Sequence, residues 1–295
     1  LAWLSGRFAI LVSAWIGAPY AAAIDLLFLA GLGAVIAREI IAGNNTRNIK
    51  VLAVVILLWV GNALFHFEHI FQIDDGHGKR LGIAATIFLI QLIGGRIIPS
   101  FTRNWLARRA PGRLPTPFDR FDLGTMAMSG VALGSWIAAP AASATALLAT
   151  LAAGLNFVRL GRWAGDRTLS EPLVLILHVA YAFVPLGFLL LAMGIIRPDI
   201  VAPTGAVHGW TAGAIGVMTL AVMTRATLGH TGQELTATSG TNAIYALAVT
   251  AALARIFAAF DLLRDTMLVV SAAAWFLSFV AFAIVYGPLL ARRRK

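Results

Sequence analysis

Hydrophobic positions along this chain neither alternate nor fall on one narrow helical stripe. They run on in blocks of about twenty residues, broken by short stretches rich in Arg, Gly and Pro. Ten blocks, at 3–17, 20–37, 51–71, 82–99, 123–139, 142–158, 172–193, 205–224, 242–260 and 267–289, predict membrane-crossing helices. About 20 residues rising ~1.5 Å each cover a hydrocarbon core of ~30 Å. Barrel strands would alternate over about 10 residues instead. The expected fold is an all-α polytopic bundle, a single transmembrane domain over residues 1–295. It divides into a four-span front (1–99), a basic loop (100–121) holding five Arg and three Pro, and a six-span back (122–295).

Composition narrows the chemistry. Of 295 residues, 59% are hydrophobic and only 12% charged, against about 25% charged in soluble domains. Cysteine is absent, which excludes disulfides, iron–sulfur clusters and thiolate ligation. A metal here must be held by His, Met or oxygen. The net charge of +10 takes its meaning from where the cations fall. With sides numbered alternately, one side carries Arg38, Arg47, Lys50, Arg103, Arg108, Arg109, Arg113, Arg120, Arg159, Arg162, Arg167, Arg225, Arg292, Arg293, Arg294 and Lys295. The other carries Lys79, Arg80, Arg197 and Arg264, while Arg7, Arg96 and Arg255 lie inside spans. The positive-inside rule places the first side, with the C-terminus, in the cytoplasm, so the basic surplus requires no nucleic-acid partner. Leu1 opens directly into apolar sequence without a Met or a basic leader, and the expectation is that a front portion is missing.

Polar groups inside spans cost roughly 2.5–3.5 kcal/mol when charged, so each one asks for a partner or a role. Asn62, His66 and His69 share one stripe of the third span. Two imidazoles three residues apart can share a metal, serve one porphyrin iron each, or sit at the headgroups bonded to loop carbonyls. His178 lies about two turns into the seventh span, followed by Tyr181 and by Pro185, which frees the carbonyl of Tyr181. A cofactor, a proton pathway or an interhelical hydrogen bond would each account for His178. The eighth span begins near His208 and carries Gly205, Gly209 and Gly213, a strip on which a helix or a flat cofactor can approach the backbone. His208 lies at the same leaflet as His66. At the other leaflet, Arg96 after Gly94-Gly95 and Arg225 suit a carboxylate or propionate, or else snorkel to the headgroups. His77, in a Gly- and Asp-rich loop, reads as solvated. No phosphate-binding loop and no Ser-His-Asp arrangement is present.

Several stretches together resemble the NnrS family: Gly6-Arg7; Asn62 with Phe65-His66; Gly94-Gly95-Arg96 with Pro99-Ser100-Phe101-Thr102-Arg103-Asn104; Leu177-His178 with Tyr181 and Pro185-Leu186-Gly187; and His208 through the run Met218 to Gly232. The resemblance covers essentially the whole chain. It implies a membrane protein of the bacterial cytoplasmic membrane that binds heme and copper in nitric-oxide response and denitrification, with about twelve spans. His66, His69, His178, His208 and His230 are then the candidate metal ligands, and Arg96, Arg225, Tyr181 and Gly209 the candidate cofactor contacts. Nitric oxide or another small apolar gas is the implied partner. Two other classes compete. A secondary transporter of a metal complex or organic anion would use Pro185 and the glycine strip as a helix break. A redox enzyme akin to heme–copper oxidases would need a His cluster at mid-membrane.

Overall fold

The computed structural model describes residues 1–109, 111–202, 205, 207–261 and 263–291. Among these there is no strand, and eleven helices follow one another: α1 Ala2–Leu11, α2 Ser13–Ile16, α3 Ala18–Ala42, α4 Ile49–Ile70, α5 His77–Leu106, α6 Arg120–Ala138, α7 Ser143–Gly161, α8 Pro172–Ile196, α9 Gly209–His230, α10 Ser239–Ala258 and α11 Arg264–Ala291. Eight of them, α3 to α5 and α7 to α11, are long and apolar enough to cross a membrane. The chain is thus a polytopic helical membrane protein.

Two of the ten expected spans are resolved differently. The block at 3–17 is not one helix: α1 covers 10 residues, only about 15 Å of rise. Gly17 at φ +90 and Pro19 behind it then redirect the chain into α3. Helix α6 has sufficient length at 19 residues, but Asp122, Thr125, Ser129 and Ser135 dilute its apolar character. The terminal cations Arg292, Arg293, Arg294 and Lys295 lie outside the described residues.

The chain forms two compact units, residues 1–89 with 136–138, and residues 90–135 with 139–295. In the first, α3 packs on α1 and α4. Glycine sets the close approach of α4 and α5: a Cβ on Gly78 would run into the backbone of Phe65, and one on Gly61 would meet the amide nitrogen of Gly82 at 2.8 Å. In the second unit, α8 is mostly buried and α11 mostly exposed, so α8 forms the core and α11 the rim. Helix α8 packs on α7 and α9, and α10 packs on α9 and α11. Helix starts follow local chemistry. Asp119 and Asp122 form a reciprocal capping box at α6, and Glu171 caps α8 ahead of Pro172.

Candidate functional site

In the first unit the polar residues converge on a carboxylate that the sequence reading passed over. Asp25, on α3, is 6% exposed. It pairs with Arg7 of α1 and accepts from Asn62 Nδ2 at 2.9 Å, and His66 Nε2 lies 3.1 Å from its Oδ2. Gly6 makes room for this, since a Cβ there would sit 2.8 Å from Asp25 Oδ1. Asn62 and His66 do share a face, as their spacing predicts, but His69 is exposed. It lines an open cavity of about 410 Å³ with Glu68, Gln72 and Lys79. Glu68 has a structural task of its own: its carboxylate accepts from His77 N at 2.6 Å and Gly78 N at 3.2 Å, satisfying the orphan donors at the start of α5. His77, expected in a solvated loop, is the first residue of that helix.

The second unit contains a polar network at full burial. Arg159, in the last turn of α7, is 0% exposed. It was counted above among loop cations; instead α7 runs on to Gly161 and turns this side chain inward. Its Nε donates to Asp122 Oδ1 at 2.8 Å, and its Nη1 donates to the Tyr181 hydroxyl at 2.9 Å and the Gln91 carbonyl at 3.3 Å. Tyr181 in turn donates to Asn156 Oδ1 at 2.9 Å, and Asn156 donates to Ser129 Oγ at 2.9 Å. Gly95 accommodates the guanidinium, because a Cβ at that position would collide with Arg159 Nη2. Tyr181 is therefore an element of this network, and its ring and that of Trp163 meet edge to face at 4.6 Å between centroids.

One turn before Tyr181 stands His178, 5% exposed. Thr102 Oγ1 donates to the Ile98 carbonyl at 2.8 Å, so its lone pair accepts from His178 Nε2–H, also at 2.8 Å. That pattern selects the Nε2–H tautomer and leaves Nδ1 a lone-pair donor. Nδ1 is buried and has no hydrogen-bond partner among the described residues. A Cβ on Gly165 would lie 2.6 Å from it, so a side chain at 165 would close over the nitrogen.

His208 meets a cation. Arg255 Nη2 lies 3.0 Å from His208 Nε2, and a guanidinium only donates, so the imidazole is neutral with Nε2 accepting. Nδ1 then faces Thr211 Oγ1 at 3.4 Å. The pair lines a cavity of about 320 Å³ with Asp199, Asp261 and Arg264. The glycine strip on α9 is occupied by neighbouring helices: Gly209 lies against Gly187 and Leu190 of α8, and Gly213 against Phe183. Nine residues at the start of α9, Gly209–Val217, are wound as a π-helix. His230, the last residue of α9, is exposed, and Arg96, expected at the end of its span, is exposed within α5, which runs on to Leu106. Arg225 is half-buried and stacks on Phe101 at 4.1 Å.

Among the described residues no group of three or more His, Asp and Glu side chains converges as a metal site. His66 belongs to the first unit, His178 and His208 to the second. Asp25, Asp122 and Arg159 were the residues missed. Their signal was present: Asp25 interrupts an otherwise apolar span, a position that seldom goes unpartnered.

A family model described as NnrS protein matches residues 1–294. No curated protein and no solved structure matches the chain.

Proposed function

The chain belongs to the NnrS family, whose members are membrane proteins of the nitric-oxide response, and on that premise we propose that it holds a heme through His178 and protects bacterial cells against nitrosative stress. The observation that supports this is the unpartnered, buried Nδ1 of His178. Leaving such an atom unsatisfied costs roughly 1–3 kcal/mol, a cost that ligation of iron removes. Thr102 holds the ring in the tautomer that presents Nδ1, as the outer hydrogen bond of a ligating imidazole does. Gly165 leaves the ring free of a side chain that would press on Nδ1 at 2.6 Å. A bound heme supplies the iron to which an apolar gas such as nitric oxide coordinates. The chain's own contribution is to fix the donor, to exclude water around α8, and to admit the gas through its hydrocarbon-facing helices.

Copper does not find a comparable donor set. Asp25 and His66 offer two donors, with the carboxylate already bonded to Arg7 and Asn62, and no third ligand converges on them among the described residues. No step is assigned to that metal.

Optical spectra of the purified chain from heme-replete cells test the proposal. The expected result is a Soret band that His178→Ala abolishes and that His69→Ala and His230→Ala leave intact. Full heme content in His178→Ala would refute the assignment.

A further inference from the structure

A third cavity, of about 690 Å³, lies among the C-terminal turns of α5, the start of α8, Arg225 of α9 and the segment that follows α9. Its lining sets Arg108, Arg109 and Arg225 against a single acid, Glu171. Glu171 is engaged in capping α8 through Leu173 N at 3.3 Å. None of the three arginines has an ion-pair partner among the described residues. Two of them are held by aromatic faces instead: Arg225 over Phe101 at 4.1 Å and Arg109 over Trp105 at 4.2 Å. Stacking fixes the plane of a guanidinium and leaves its edge donors open for bidentate bonds to an oxyanion. Trp105 also lines the cavity, and its Nε1 is buried without a hydrogen-bond partner among the described residues.

We propose that this cavity binds the phosphate group of an anionic ligand, presented either as a phospholipid headgroup or as a soluble phosphate. Three cations facing one acid repel each other across a common space, and a phosphate neutralises them while satisfying the open N–H groups. The position fits a lipid source. Helix α5 ends at Leu106, α8 begins at Pro172 and α9 ends at His230, and all three are long and apolar enough to cross a membrane. The cavity therefore lies at helix ends, at headgroup depth, and Phe101, Val174 and Leu235 supply an apolar wall beside the arginines.

Native mass spectrometry of the full chain released from detergent, titrated with dioleoyl phosphatidylglycerol or dioleoyl phosphatidylcholine, measures the lipid source. Calorimetry with inorganic phosphate measures the soluble one. The expected result is retention of phosphatidylglycerol over phosphatidylcholine, with affinity reduced about tenfold or more in Arg225→Gln and in the doubly substituted Arg108→Gln/Arg109→Gln chain, as loss of charge-assisted bonds implies. Arg197→Gln, at a remote surface pair with Asp199, leaves binding unchanged. Phosphate binding that the same substitutions weaken supports the site and assigns it to a soluble ligand. The comparison of the two lipids on the unsubstituted chain stands even if Arg225→Gln fails to fold. Equal retention of both lipids with no phosphate binding overturns the proposal, as do substituted chains that bind as tightly as the parent. Loss of heme in the arginine variants, with neither lipid nor phosphate taken up by the parent chain, assigns the cations to heme carboxylates and overturns it as well.

Discussion

Replacing Arg159 by methionine removes the one fully buried cation among the described residues of the second unit while keeping most of its volume. The loss can be followed bond by bond. Asp122, 3% exposed, loses the guanidinium at 2.8 Å but keeps a backbone donor at Asp119 N, 3.2 Å away, and the distant Arg162 Nη1 at 3.8 Å. Breaking a buried pair costs about 3–5 kcal/mol. The surviving partners of Asp122 place this case at the lower end. Tyr181 loses one donor and keeps its bond to Asn156, adding about 1 kcal/mol. The sum, about 4 kcal/mol, is a large part of the stability of an ordinary domain. The companion substitution Asp122→Asn strands the guanidinium in the same way, but Arg159→Met/Asp122→Asn strands neither charge. The double variant is therefore expected to fall short of the sum of the singles by about 2 kcal/mol. Reversible unfolding by dodecyl sulfate in mixed micelles, followed by circular dichroism, gives the three differences. Additivity within about 0.5 kcal/mol would refute the coupled buried pair.

Gly95→Ala places a methyl group on Arg159 Nη2 and is expected to cost about 1–3 kcal/mol in the same assay, whereas Gly124→Ala, with nothing within 4 Å of the added carbon, is expected to be neutral or stabilising. Glu68→Ala exposes the first amides of α5 and is expected to cost about 1–2 kcal/mol, visible as faster hydrogen exchange at His77 and Gly78. The Arg162 guanidinium lowers the Asp119 carboxyl from 3.8 to about 2. Because the folded value is the depressed one, the contribution of this pair is complete above pH 3.8 and disappears as pH falls through about 2. The stability difference between the parent chain and Asp119→Asn should close over that window, and a difference that persists unchanged below it would contradict the pairing. Thr102→Val removes the acceptor that fixes the His178 tautomer. In a heme-loaded chain it is expected to shift the Soret maximum, while a mutation with a purely structural effect would change heme content without moving the band.

The helices were legible in the sequence because a bilayer demands apolar length, and that demand is met locally, residue after residue. The two departures have local causes as well, Gly17 with Pro19 in one case and the polar content of α6 in the other. The sites were less legible because partners meet through packing, which periodicity does not encode. Gly6-Arg7, Asn62 and His66 were singled out one by one, yet what joins them is Asp25, which stands on a different helix and in no motif. Arg159 was assigned to a loop because the predicted span closes at residue 158, and only the extent of α7 to Gly161 turned it inward toward Asp122. For the histidines, sequence position left five candidates, and hydrogen bonding separates them. His66 is committed to a carboxylate, His208 accepts from a guanidinium, and His69 and His230 are exposed. His178 alone among the five combines burial with an unpartnered ring nitrogen in the described residues. The proposed choice of ligand thus rests on Thr102, a hydroxyl that no count of metal-binding residues would have included, because the bond it accepts from Nε2 decides which nitrogen is left without a partner among the described residues.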